Sequence, residues 1–201
     1  MPILRLPKGS LRDEIRLPLY DTIQISAAES PVGTRNFFSA VQGKSRARTN
    51  LRQNNLLENS VSYRVQGLGI DCQNFYAANI NALPIIMENS SIQLKIGEKI
   101  YWEGPMTFLG GRIEASYAAA TTTAATTINN VHQKFGSPAV ASVVLQGKHV
   151  VDINPLQSFV AQWNIDSADL TAGEITAATP AASTNLKFVF SLKGLQRRPV
   201  Q

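Results

Sequence analysis

Ile92-Gln93-Leu94-Lys95-Ile96-Gly97-Glu98-Lys99-Ile100-Tyr101-Trp102 reads as two short strands about a turn. Ile92, Leu94 and Ile96 alternate with Gln93 and Lys95, the period of two that lays one face of a strand against a core. Gly97-Glu98-Lys99 has the length of a three-residue hairpin loop, so the two runs are expected to pair antiparallel.

The same period recurs on both sides. Phe159, Ala161, Trp163 and Ile165 alternate with Val160, Gln162 and Asn164, and Leu186, Phe188, Phe190 and Leu192 alternate with Lys187, Val189 and Ser191. Both runs are expected as core strands with one buried face. Val61-Ser62-Tyr63-Arg64-Val65 starts another, but Leu68, Ile70 and Cys72 carry on with the opposite parity beyond Gly67, which predicts a bulge there. Val140 to Leu145 and His149 to Ile153 flank Gln146-Gly147-Lys148 as a second hairpin, and Thr22 to Ser26 opens the body.

Two low-complexity stretches lie between these runs: Ala118 to Thr127, made only of Ala and Thr, and Ser167 to Thr184. They read as long exposed loops, with a short helix at Ala118 to Ala125 as the alternative. Prolines at 2, 7 and 18 break the first twenty residues, where Leu and Ile alternate with Arg and Lys, so that segment is expected to be extended rather than helical. The domain plan is therefore an extended N-terminal arm at 1–20, one β body at 21–195 and a tail at 196–201. Eight to ten short strands without an intervening helical period exclude a parallel α/β sheet and predict an all-β sandwich or barrel.

The chain has 201 residues, enough to bury one substantial core. No apolar run is long enough to span a membrane as a helix, and the proline-interrupted start carries no signal-peptide pattern. A single cysteine, Cys72, excludes an intrachain disulfide. Only 16% of residues are charged, against roughly 25% in ordinary soluble domains. Asn and Gln together number 26, so amides supply much of the polar surface, as suits subunit contacts where burying unpaired charge is costly.

Residues able to do chemistry are few. His132 and His149 are the only histidines and belong to no metal-binding spacing, and Cys72 ends an apolar strand where an inert buried thiol is expected. Glu98, Glu103, Glu114, Asp152, Asp166 and Asp169 fall mostly at turns, and no phosphate-binding or nucleophile-elbow glycine motif is present. Neither an enzyme, a metal nor any other cofactor is expected. Trp102, Trp163, Tyr63 and Tyr101 could form a carbohydrate platform, but most lie on or beside the apolar side of their strands, where core packing accounts for them.

The basic residues stand out. Arg5, Lys8, Arg12 and Arg16 lie in the arm, Lys44, Arg46, Arg48 and Arg52 cluster in one stretch, and Arg197-Arg198 lie near the end of the chain, in a formal net charge of +5. They are candidates for nucleic-acid phosphates or for carboxylates of neighbouring subunits, against the simpler role of solvating exposed segments.

Taken together, the proline-broken basic arm, the short alternating strands, the amide-rich loops and the terminal run from Leu186 to Leu192 resemble the single jelly-roll capsid proteins of viruses and tailless phages. The resemblance implies an antiparallel jelly-roll β-sandwich with long loops. It further implies a structural virion protein, made in the host cytoplasm, that self-assembles into an icosahedral shell with copies of itself, other virion proteins and the genome as partners. The competing expectation is a carbohydrate- or receptor-binding β-sandwich of a phage tail or surface adhesion protein.

Overall fold

The computed structural model describes residues 3–5, 11–73, 82–109, 114–122, 125–134, 143–145, 147, 150–168, 170–180 and 185–199. The chain is mostly β. Its strands are β1 (Ile3–Arg5), β2 (Leu11–Arg16), β3 (Leu19–Ile25), β4 (Gly33–Phe37), β5 (Ser62–Gln73), β6 (Ser90–Ile96), β7 (Lys99–Pro105), β8 (Glu114–Thr122), β9 (Ala125–Lys134), β10 (Val143–Val144), β11 (Val151–Ile153), β12 (Phe159–Ile165) and β13 (Leu186–Pro199). Two short helices, α1 (Ala82–Glu88) and α2 (Ala172–Ala178), pack against each other. No helix among the described residues is long and apolar enough to cross a membrane.

Two antiparallel sheets make the body. In the first, β13 is central, with β5 on one side and β2 and β3 end to end on the other; β10 and β11 lie end to end along the far side of β5, and β1 pairs with β2. The second runs β4-β12-β6-β7. Leu186, Phe188, Phe190 and Leu192 project from β13 toward Phe37 of β4 and Phe159 and Trp163 of β12, and all are buried. The aromatic rings bridge the sheets, with Trp163 4.8 Å from Phe188 and Phe37 5.4 Å from Phe190, centroid to centroid. Each such tilted contact adds about 0.5–1.5 kcal/mol beyond area burial.

The leading hairpin forms, with a tighter turn than its sequence suggests. Ile96 pairs with Lys99, so the loop is two residues, Gly97 and Glu98, and Gly97 at φ +58 supplies the positive φ its first position needs. The bulge near Gly67 is present: Lys193 pairs with Gly67 and Gly194 with Val65, leaving Gln66 extra. Gly194 is required there, because a Cβ on it would lie 1.9 Å from the Arg64 carbonyl oxygen.

Other expectations are corrected. Val143–Val144 and Val151–Ile153 do not form a hairpin, since both pair with β5 and lie in line along it. The Ala/Thr stretch is neither loop nor helix over most of its length: β8 and β9 form a hairpin of their own, as β-branched threonine favours. Ser167 to Thr184 is not all loop, because Thr171 and Glu174 make a reciprocal capping box that starts α2. Within the stretch read as an arm, Leu11–Arg16 is β2, hydrogen-bonded to β13, and the stretch read as a tail continues β13 to Pro199.

Candidate functional site

The clustered cations sit on a loop that closes over β3. The Thr49 hydroxyl and the Asn50 N–H donate to the Tyr20 carbonyl, the Asn50 side chain accepts from the Tyr20 N–H and donates to the Pro18 carbonyl, and the Thr22 hydroxyl donates to the Arg48 carbonyl at 2.7 Å. The edge of β3 turned away from β13 is thereby covered, which removes a row of groups open to stray strand pairing.

Lys44 anchors this loop from beneath. Its Nζ donates to both Asp21 carboxylate oxygens, at 2.8 and 2.9 Å, and to the Thr22 carbonyl at 2.8 Å. Asp21 is fully buried on the core side of β3, and the Phe38 N–H donates to it at 2.7 Å. A carboxylate in that position requires such partners. Lys44 is thus committed within its own chain, although the sequence places it among the outward-acting cations.

Arg46, Arg48 and Arg52 are exposed on the same loop. Arg46 bonds the Asn50 carbonyl at 3.2 Å and Arg52 pairs with Glu58 at 2.9 Å, while the Arg48 guanidinium has no ion-pair partner among the described residues. Arg12 stands opposite Pro199, and Arg5 opposite Leu11, in the backbone register. Lys8 lies outside the described residues.

Arg16 belongs to a second feature, a groove of about 370 Å³ on the outer face of the first sheet. Three irregularities fall side by side to make it: the break between β2 and β3 at Leu17-Pro18, the bulge at Gln66, and the gap between β10 and β11. Leu17, Pro18 and Val144 give apolar walls, and Arg16 and Lys193 bring two cations. Burial pulls the Lys193 ammonium below its usual range. Beneath the groove the Tyr63 hydroxyl, itself in the core, lies 2.9 Å from the Leu17 carbonyl and 2.8 Å from that of Leu192. Desolvation raises the Tyr63 pKa, so the hydroxyl keeps the proton it donates. The sequence carries a signal for Lys193, which lies outward on an alternating strand just before the Gly194 bulge, but its neighbours come from segments far apart in the chain.

Beside the groove, paired charges cross the outer face: Arg64 grips Asp152 with two bonds, at 2.8 and 3.1 Å, and Arg197 pairs with Glu14 at 2.5 Å. The Arg64 guanidinium holds the Asp152 carboxyl below the usual carboxylate range.

Among the groups considered for catalysis, Cys72 is buried and its thiol is pushed up to about 12, chiefly by burial. Asp152 is held by Arg64, Glu103 by Gln93, and Asp166 accepts the Ala168 N–H at 2.9 Å. The side chains of His132 and His149 lie outside the described residues, among which no three His, Cys, Asp or Glu residues gather as a metal requires. The aromatic platform does not assemble: Trp163 and Tyr63 are fully buried in the core, and Trp102 packs against it. What the described surface offers is positive charge and apolar contact. Compared with protein-family models, curated proteins and solved structures, the chain matches none of them.

Proposed function

We propose that this chain is a structural shell subunit, a capsid protein of jelly-roll type that assembles with copies of itself. The observation that carries the reading is the nesting of the strand pairs. β6 pairs with β7, β5 with β10 and β11, β4 with β12, and β3 with β13. Folding one long antiparallel ribbon at the β6–β7 turn and rolling it up produces this set, with successive pairs falling alternately in the two sheets, and this nesting supports reading the two antiparallel sheets as a jelly roll.

The jelly roll also serves lectins and metal-binding cupins, so the fold alone does not select a function. Several properties favour a shell. The chain holds only two histidines, where a cupin metal site uses a cluster. Its charged fraction is low and its amide content high, as extensive contact between subunits favours. Exposed Arg46 and Arg48 on the loop over β3 are suited to phosphate contact with an enclosed genome, and the β8–β9 hairpin, which among the described residues pairs with neither sheet, is suited to reaching a neighbour.

Light scattering on nuclease-treated protein, with negative-stain microscopy of the same sample, tests the proposal. Regular particles, or pentamers and hexamers, are the expected result. A monomer at high concentration that stays monomeric with nucleic acid added overturns it.

A further inference from the structure

Leu156 combines two unfavourable features. It is 67% exposed, and its backbone sits at φ +62, a left-handed conformation that is strained for leucine and natural for glycine. Among the described residues no other large apolar side chain has both: Phe38 shares the positive φ but is fully buried. Leu156 stands third in the turn Asn154-Pro155-Leu156-Gln157, closed by the Gln157 N–H donating to the Asn154 carbonyl at 3.1 Å, with proline second and the positive φ third as in a type II turn. The Asn154 N–H donates to the Gln157 side-chain carbonyl at 3.1 Å, which fastens the turn that carries the leucine. This turn is tied to that of the β6–β7 hairpin, where the Gly97 N–H donates to the Ser158 carbonyl at 2.7 Å. Next to Gly97, Glu98 is exposed and has no ion-pair partner among the described residues.

The groove on the outer face of the first sheet is the counterpart. Leu17 and Val144 in its walls are 42% and 59% exposed, and Arg16 beside them is exposed with no ion-pair partner among the described residues. Apolar walls with two cations match a protruding apolar side chain accompanied by an acid, which is what the Leu156 turn and Glu98 present together. Leu156 does not fill the groove of its own chain: β11 begins beside that groove, with Val151 opposite Val65, and runs away from it to Ile153 opposite Tyr63 before the turn starts. We propose that Leu156 of one copy seats in the groove of a second copy, between Leu17, Pro18 and Val144, bringing Glu98 toward Arg16 and Lys193. Turn and groove are different patches, so the contact is heterologous: each copy gives one and receives one, and a rotation that closes makes a ring. The strained backbone at Leu156 then has a role, because the glycine that would relieve it has no side chain to dock. The proposal rests on reading the chain as a self-assembling subunit, and names one of the contacts between copies.

The test is oxidative cross-linking of the purified full-length double variant L156C/V144C, with each single variant as the background from random collision. The only native cysteine, Cys72, is buried. Side chains in contact bring their Cβ atoms within disulfide range, so the double variant is expected to give a ladder of covalent dimers, trimers and longer oligomers well above either single variant. A two-fold contact about either residue would cross-link a single variant as well as the double, and overturns the proposal. Adding Glu98→Lys brings a third cation to the groove and lowers the yield severalfold. Leu156→Gly separates docking from folding. It is expected to raise the concentration at which copies associate at least tenfold, while the urea midpoint in dilute protein, where copies are apart, stays or rises because glycine relieves the positive φ. A lowered midpoint assigns Leu156 to its own fold and overturns the proposal, as does a ladder no stronger than the single variants or indifferent to Glu98→Lys. Cross-linking is read apart from particles: a ladder without shells counts against the shell reading alone, and shells without a ladder against this contact alone.

Discussion

Lys44 and Asp21, 23 residues apart, form a two-pronged ion pair at 2.8 and 2.9 Å, with the carboxylate wholly inside the core and the lysine side chain 20% exposed. The pair fastens a surface loop to an inner strand, and its removal separates two energies. Lys44→Met leaves Asp21 buried without its counter-charge and is expected to cost about 3–5 kcal/mol. Asp21→Asn in the same background should return much of that loss. Urea unfolding of the two single variants and the double gives the coupling; additive losses would mean that the two side chains act independently.

Glycines at two positions should respond in opposite directions to the same substitution. Gly194→Ala drives a Cβ into the Arg64 carbonyl, and since backbone on both sides must move, a loss of at least about 3 kcal/mol is expected. Gly173 lies within α2, where the nearest atom to an added Cβ is the Thr171 hydroxyl at 4.0 Å. Gly173→Ala should therefore stabilise by about 0.5–1 kcal/mol. Thermal unfolding of both variants checks the pair, and equal effects would contradict this account.

Acid should weaken the fold partly through Asp152. Its folded pKa is depressed, first by the Arg64 hydrogen bonds, so its contribution is present above the unfolded carboxyl pKa of about 3.9 and fades as pH falls through the lower folded value. Both side chains are more than a third exposed, and solvent screening limits the contribution to about 0.5 kcal/mol. Arg64→Met should remove that increment at pH 7 and make almost no difference near pH 2. Denaturant midpoints at the two pH values measure it; an equal deficit at both would assign the role of Arg64 to packing.

Strand identity was legible in the sequence where an apolar period of two was uninterrupted, as at 92–96, 159–165 and 186–192. The bulge was legible too, because Val65 and Leu68 fall on the same face with the wrong spacing. Partners were less accessible. Val143–Val144 and Val151–Ile153 look like the arms of a hairpin until β5, about 80 residues earlier, is seen to pair with both. Leu11–Arg16 looks like part of an arm because the prolines on either side of it, at 7 and 18, and its own charges are visible locally, whereas the strand that pairs with it lies at the other end of the chain. The basic cluster at 44–52 was visible as charge. That Lys44 points inward depended on Asp21, an ordinary polar residue by its local pattern, and tertiary packing alone brings the two together.

The pairing of β2 also separates two truncations. Removing residues 1–10 takes away β1 and leaves β2 in place, so the thermal midpoint should hardly change. Removing 1–18 uncovers β13 from Leu195 to Pro199, strips Glu14 from Arg197, and deprives the Tyr63 hydroxyl of the Leu17 carbonyl. A loss of about 2–4 kcal/mol is expected from those hydrogen bonds and that ion pair. Calorimetry compares the two proteins, and an unchanged midpoint in the longer deletion would show that β2 carries no structural weight. Because only the shorter deletion spares the fold, it is the one whose assembly reports on an arm between subunits. Normal particles from it would leave residues 1–10 no part in building the shell.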